Sequence, residues 1–267
     1  MSESPGSPQN SAQNSAVVQL IEAAVQFPSQ DSPTLQGINL EVKPDEILAI
    51  VGPSGCGKST LLRVLSNLLP LTSGKRITPD EAKAVTCSQE ELAMVFQDAR
   101  LLPWRTVLGN MRLPFELTGK SVDQKWLIEL LERTGLQKND FQKYPRMLSG
   151  GMKMRVAIAR SLVLNPKLLL LDEPFAAVDD LLREQLNFDL LKLQKQFNFS
   201  AVLVTHHIGE AVFLSNRLMI MSAEPGQIIE EIKIPWKENR TTELRTSPEF
   251  AKLCGEVKQR LQNSSLK

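Results

Sequence analysis

Apolar and polar positions divide the chain into short strands and amphipathic helices. Residues 17–25 carry branched apolar side chains, and 38–42 alternate Ile-Asn-Leu-Glu-Val, the pattern of a strand with one buried face. Residues 47–51, 167–171 and 201–205 are apolar runs that suit strands covered on both faces. Residues 92–96 predict another short strand. Helical spacing recurs over 59–69, 150–164, 181–197 and 248–261, with a further helical segment near 122–134. Strands alternating with helices predict an α/β core around a parallel sheet. Residues 97–148 contain no convincing strand and predict a helical insertion, and 72–91 are the least regular part of the interior. Residues 1–15 are rich in Ser, Pro, Gln and Asn without apolar pattern and predict a disordered tail.

Composition narrows this picture. The 267 residues are 42% hydrophobic, enough for one large domain or two small ones. A net charge of +1 provides no overall attraction for nucleic acid or anionic lipid. The cysteines Cys56, Cys87 and Cys254 lack metal-ligand spacing, which argues for a reducing compartment. The N-terminus has no signal-peptide pattern, and no run approaches the ~18 apolar residues of a membrane span.

Chemistry concentrates at two strand ends. Gly52-Pro53-Ser54-Gly55-Cys56-Gly57-Lys58-Ser59 fits G-x-x-x-x-G-K-[ST] without mismatch, between an apolar strand and a helix. Glycines let successive N–H groups turn toward a phosphate, and the helix N-terminus adds its positive end. Lys58 is placed for the β- and γ-phosphates of ATP, Ser59 for Mg²⁺, and Thr60 as a further donor. Cys56 most simply fills a small slot through its backbone N–H. A second possibility is a thiol against the nucleotide, its pKa lowered by Lys58 and the helix end. The other strand, Leu168–Leu171, ends in Asp172-Glu173. Ligands gather at the carboxyl ends of parallel strands, so Asp172 is placed to hold Mg²⁺ and Glu173 to deprotonate an attacking water. Two acids capping a turn is the plainer alternative.

Leu148-Ser149-Gly150-Gly151-Met152, just upstream of that strand, resembles the signature motif of ATP-binding-cassette (ABC) ATPases. The resemblance covers roughly 17–222. It implies an α/β fold with a P-loop NTPase core and parallel sheet, an N-terminal antiparallel β subdomain, and an inserted α-helical subdomain at about 98–160. A tail (1–16) and a C-terminal extension with a terminal helix (223–267) flank it. It further implies that Ser149, Gly150 and Gly151 bind ATP held by a partner subunit, in a homodimer or paired ABC subunits. Gln97 matches the Q-loop glutamine, contacting Mg²⁺ and the attacking water. His206 matches the switch histidine, beside His207 where the family usually has Asp. Asp179 matches the D-loop aspartate. Phe27 stands where an aromatic platform, usually Tyr, stacks on adenine. Met152 replaces a commoner Gln, Ala176 a usual Ser, and Asp45 a common Gly.

Phe96–Val107 and Ala211–Arg217 followed by Met221–Gly226 look like the ATPase subunits of nitrate, sulfonate, taurine and bicarbonate importers. That likeness implies attachment to an integral membrane permease, with Trp104 near its docking groove. A periplasmic or extracellular solute-binding protein would act indirectly, and no nucleic acid is involved. The chain would sit peripherally on the cytoplasmic face of the inner membrane. A non-transport ABC ATPase regulating a soluble macromolecular partner is the alternative.

Overall fold

The computed structural model describes residues 16–79, 91–236 and 240–264. The tail reading for 1–15, and Cys87, lie outside the described residues.

Among the described residues, nine strands form two sheets. In the first, β1 (Val18–Val25) pairs antiparallel with β2 (Leu35–Val42) and with β4 (Ser73–Ile77). β4 falls in the stretch whose sequence showed least regularity. Its exposed pattern, Ser-Gly-Lys-Arg-Ile, carries no apolar signal, and pairing with β1 decides its conformation. The second sheet has the order β5-β6-β7-β3-β8-β9. Here β3 (Ile47–Val51), β5 (Leu92–Val95), β6 (Leu168–Asp172), β7 (Ser200–Val204) and β8 (Arg217–Met221) run parallel. The antiparallel β9 (Ile228–Lys233) closes the edge beside β8.

Alternate residues of the central strands enter opposite cores. Ala49, Val51, Leu169, Leu171 and Leu203 face one side, while Leu48, Ile50, Leu168, Leu170 and Val204 face the other. The first side is covered by α4 (Gly150–Leu162), α5 (Asp180–Phe197), α6 (Ile208–Leu214) and α8 (Pro248–Ser264). The second is covered by α1 (Lys58–Leu65) and the antiparallel sheet. Burying each such Val, Leu or Ile contributes about 1.5–3 kcal/mol, so uninterrupted apolar runs are what this geometry selects. Between β5 and β6 the described chain forms α2 (Val107–Thr118), α3 (Gln124–Arg133) and α4, with two short 3-10 turns between α3 and α4. Thr106 and Asp123 cap α2 and α3 by accepting from backbone N–H groups.

One buried ion pair ties the two sheets together. Arg217 donates to Glu46 Oε1 (2.8 Å) and to the Glu41 carbonyl on β2 (3.0 Å). Its other edge makes two bonds to Glu231 on β9, each 2.8 Å. The Arg217 and Glu46 side chains are only 10% and 8% exposed. Burial pushes the Glu46 carboxyl above its usual range, and the adjacent guanidinium partly offsets this. The turn before Glu46 places Asp45 at φ 58°, a left-handed conformation that explains why glycine is common there and that Asp tolerates.

Removing one partner of a buried pair costs about 3–5 kcal/mol, because a charge is left without compensation. Arg217→Met is therefore expected to lower unfolding free energy in urea by about 3 kcal/mol. The same change in a Glu46→Gln background should cost measurably less.

Candidate active site

All five parallel strands deliver their carboxyl ends to one edge of the sheet. The register pairs Val51 with Ile220, Ile50 with Val204, Val204 with Asp172 and Leu171 with Val95. The residues that follow these strand ends therefore converge, although they are far apart in sequence.

The loop 52–57 links β3 to α1. Gly57 caps the helix at φ 93°, and a Cβ there would lie 2.8 Å from Leu35 Cδ2. Glycine alone relieves both the conformation and the contact. With no acidic residue in its first turn, α1 presents its positive end to the loop. Lys58 is buried, and its ammonium donates to the carbonyls of Gly52 (2.9 Å) and Pro53 (2.7 Å). It is thus held across the loop, within a side chain's rotation of any phosphate seated there. Ser54 and Gly55 are exposed at the loop's rim, and Thr60 is half-buried behind it.

Cys56 corrects one expectation. Its side chain is buried at 2% exposure, and burial pushes its thiol above the ordinary value, outweighing the Lys58 ammonium 3.7 Å from the sulfur. The simpler reading of a small residue filling a slot fits this environment.

Opposite the loop, Ser59 Oγ donates to Asp172 Oδ1 at 3.0 Å across 113 residues of chain. Burial raises the Asp172 carboxyl, and the Ser59 hydroxyl partly counters that. These two residues, Gln97 and Gly150 line a single cleft of about 530 Å³. One hydroxyl and one carboxylate side by side form the hard oxygen donor set that Mg²⁺ accepts alongside phosphate oxygens and waters, so these residues fit that ion.

Glu173 follows Asp172 with φ 47°, while its N–H still bonds to the Val204 carbonyl at 2.9 Å. A left-handed non-glycine residue costs of order 1–3 kcal/mol and persists only where its surroundings demand it. The turn brings Glu173 Oε2 to 3.0 Å from His206 Nδ1, at the end of β7. His206 is half exposed. The His207 ring stacks obliquely 4.1 Å from it, and burial lowers the His207 pKa, which favours the neutral ring.

Other candidate residues occupy helix starts. Ser149 Oγ accepts from Met152 N at 3.3 Å and caps α4, with Gly150 exposed and Gly151 buried beside it. Asp179 caps α5 by accepting from Leu182 N at 3.0 Å. Phe27 is half-buried after β1 and packs against the core beneath the antiparallel sheet. Gln97 is exposed on the loop after β5.

Three supporting residues gave little warning in the sequence. Arg160 donates to the carbonyls of Ala99 and Arg100, both at 3.1 Å, and so anchors the Gln97 loop to α4. Arg183 donates to the carbonyls of Phe175 and Val178 and fixes the turn that follows Glu173. Gly226 exchanges backbone hydrogen bonds with Thr34 and Gln36. A Cβ on Gly226 would stand 2.1 Å from the Cys56 carbonyl of the phosphate loop. A basic residue at a helix end or a glycine after a proline is too common a pattern to single these out.

A phosphate loop at the mouth of a parallel sheet, with acids at the end of β6 one strand away across β7, defines an ATPase of the P-loop class. Residues 35–176 match the family model described as ABC transporter. The aliphatic sulfonates import ATP-binding protein of Bacillus cereus is 40% identical over 214 residues, 78% of this chain and 82% of the relative. The taurine import ATP-binding protein of Yersinia pestis is 37% identical over 228 residues, 83% and 88% of the two chains. A dimeric post-hydrolysis ATP-binding cassette bound to ADP and phosphate superposes with a TM-score of 0.70, at 29% identity over 82% of this chain and all of that one. A cassette of a Clostridium perfringens ABC transporter complex gives a TM-score of 0.74 at 26% identity, over 93% and 97%. The chain belongs to the ABC transporter ATP-binding family, whose members are ATPases.

The close approach of Gly226 to the phosphate loop has a measurable consequence. Gly226→Ala overpacks that contact at a cost of about 1–3 kcal/mol. ATP affinity is expected to fall about 5- to 150-fold, read by titration with a fluorescent nucleotide. Unchanged affinity would show that the loop yields without losing its form.

Proposed function

We propose that this chain is the ATP-hydrolysing subunit of an importer that takes up a small anion or organosulfur solute of the nitrate, sulfonate or taurine class. The observation that carries the reading is the pairing of Glu173 with His206 at 3.0 Å, one residue beyond the Ser59–Asp172 contact. Relatives named for sulfonate and taurine import support the solute class.

Lys58 and the N–H groups of 52–60 bind the triphosphate. Ser59 and Asp172, with Gln97 at the cleft wall, would hold Mg²⁺, which would neutralise charge on the triphosphate. Glu173 accepts a proton from water as it attacks the γ-phosphorus. The bond from that phosphorus to the bridging oxygen breaks, leaving ADP and phosphate. His206 donates to the γ-phosphate oxygens and is oriented by Glu173. Phe27 stacks on adenine. Ser149, Gly150, Gly151 and Asp179 serve the nucleotide of a second ABC subunit, and the dimeric neighbour supports that pairing. The division into cassette (17–222), helical insertion (about 98–160) and extension (223–267) follows from the same reading.

No described helix is long and apolar enough to cross a membrane. Relatives named as import ATP-binding proteins support attachment to a permease, at the cytoplasmic face of the membrane. Trp104, 71% exposed at the helical insertion, supplies part of that contact.

Glu173→Gln keeps the shape and removes the base. Turnover should fall about 10²- to 10⁴-fold with nucleotide binding retained, and near-normal turnover would refute the assignment. Lys58→Ala should lose ATP binding in the same titration. Ser149→Asp retains a helix cap but sets a carboxylate against the partner's γ-phosphate. ATP should still bind to the monomer, while ATP-dependent dimerisation, read by light scattering, is lost.

A further inference from the structure

The short helix α6 begins two residues after His206 and is gripped by the C-terminal extension. Arg240 donates to the carbonyls of Phe213 and Ser215, each at 2.7 Å, so a cation covers the negative end of that helix. Arg245, in α7 (Thr242–Thr246), lies 3.8 Å over the Phe213 ring. Phe250 of α8 and Phe188 of α5 meet Phe213 edge-on.

A chain of polar contacts runs from Arg245 back to the histidine. Asn187 on α5 is fully buried. With its amide turned so that both neighbours are satisfied, its oxygen accepts from Arg245 Nη2 at 2.8 Å and its nitrogen donates to Glu210 Oε1 at 3.2 Å. Glu210, only 4% exposed, accepts from the Thr205 hydroxyl. That hydroxyl oxygen in turn accepts from the His207 backbone N–H at 3.1 Å. The two arms converge on the Glu210 carboxylate, which accepts from Asn187 on one side and from Thr205 on the other, and such a buried hydrogen-bonded network holds its members in one arrangement. It ends on the peptide that joins His206 to His207.

We propose that Arg245, supplied by the C-terminal extension, is a positioning residue for His206, acting through Asn187, Glu210 and Thr205. The inference rests on the reading of His206 as a contact to the γ-phosphate. The extension thus completes the catalytic edge of its own chain: without Arg245, Asn187 and Glu210 lose the cation that orients them, and the backbone at His206 loses a fixed anchor. Mere packing of α7 on the core predicts lower stability but no specific tie to one catalytic side chain.

A double-mutant cycle on the full-length chain separates these outcomes. ATP hydrolysis is measured for Arg245→Met, His206→Ala and the double variant, well below each melting temperature. Arg245→Met should lower kcat about 5- to 20-fold with KM for ATP within twofold. It should add no further loss to His206→Ala. Multiplicative losses, or an unchanged kcat in Arg245→Met, overturn the proposal. If His206→Ala itself turns over normally, the underlying reading of the histidine has failed, and the Arg245 inference falls with it. Should Arg245→Met be insoluble, Arg245→Lys carries the decision, since it keeps the cation over Phe213 but loses the forked donor. A reduced kcat at unchanged KM that vanishes in the His206→Ala background supports the proposal, and a wild-type kcat overturns it.

Discussion

A parallel sheet buried on both faces leaves polar chemistry almost nowhere to go except the ends of its strands. Along β3 and β6 every residue before the strand end faces one of two apolar cores, as does every residue of β7 after Ser200. A charge placed there would need a partner or would cost several kcal/mol. At the carboxyl edge the constraint lifts at once. Gly52, Gln97, Glu173 and His206 each lie just past the end of a parallel strand, and Asp172 is the last residue of one. Register then fixes their mutual distances, because pairing Asp172 with Val204 leaves Glu173 and His206 on adjoining turns. The catalytic geometry is a by-product of how the sheet satisfies its own burial.

That edge is stiffened from behind by cations. Arg160 holds the loop of Gln97, Arg183 the turn after Glu173, and Arg240 the end of the helix after His206. Each donates to backbone carbonyls that the loops leave without strand partners. Burial pushes the pKa of Arg240 down to about 10, still high enough to keep it charged near neutrality. A planar fork of several donors satisfies two or three carbonyls at once in a fixed geometry that the single ammonium of lysine does not provide. The loops at this edge are therefore irregular in backbone but not loose. The same logic joins the two sheets, where Arg217 bridges Glu46, Glu41 and Glu231.

How much of this was legible depends on whether the signal is local. The three apolar runs announced central strands because burial on both faces excludes polar residues from them. The phosphate loop was readable because glycine and lysine are required at fixed offsets, and the place of Asp172-Glu173 at a strand end because four leucines precede it. Strand β4 was not legible: its Ser-Gly-Lys-Arg sequence is extended only because β1 offers it a ladder. Strand β9 likewise shows alternating half-exposure and owes its place to β8. At Cys56 the structure separates two readings. Beside the simpler reading of a slot-filling residue, its neighbours in sequence left open an activated thiol, whereas burial among apolar neighbours raises its pKa.

By itself the sequence determined the class of chemistry, since motif residues act through their own functional groups and through backbone spacing that a few residues enforce. It also determined that a parallel sheet must form, because period and apolarity are local properties. Tertiary structure decided the rest. It set Ser59 against Asp172 across 113 residues, turned Glu173 into a left-handed conformation facing His206, and brought Gly226 under the phosphate loop. It also carried Arg245 from the far end of the chain onto the helix after the histidine. Those contacts depend on packing between distant segments, and distance along the chain holds no record of distance in space.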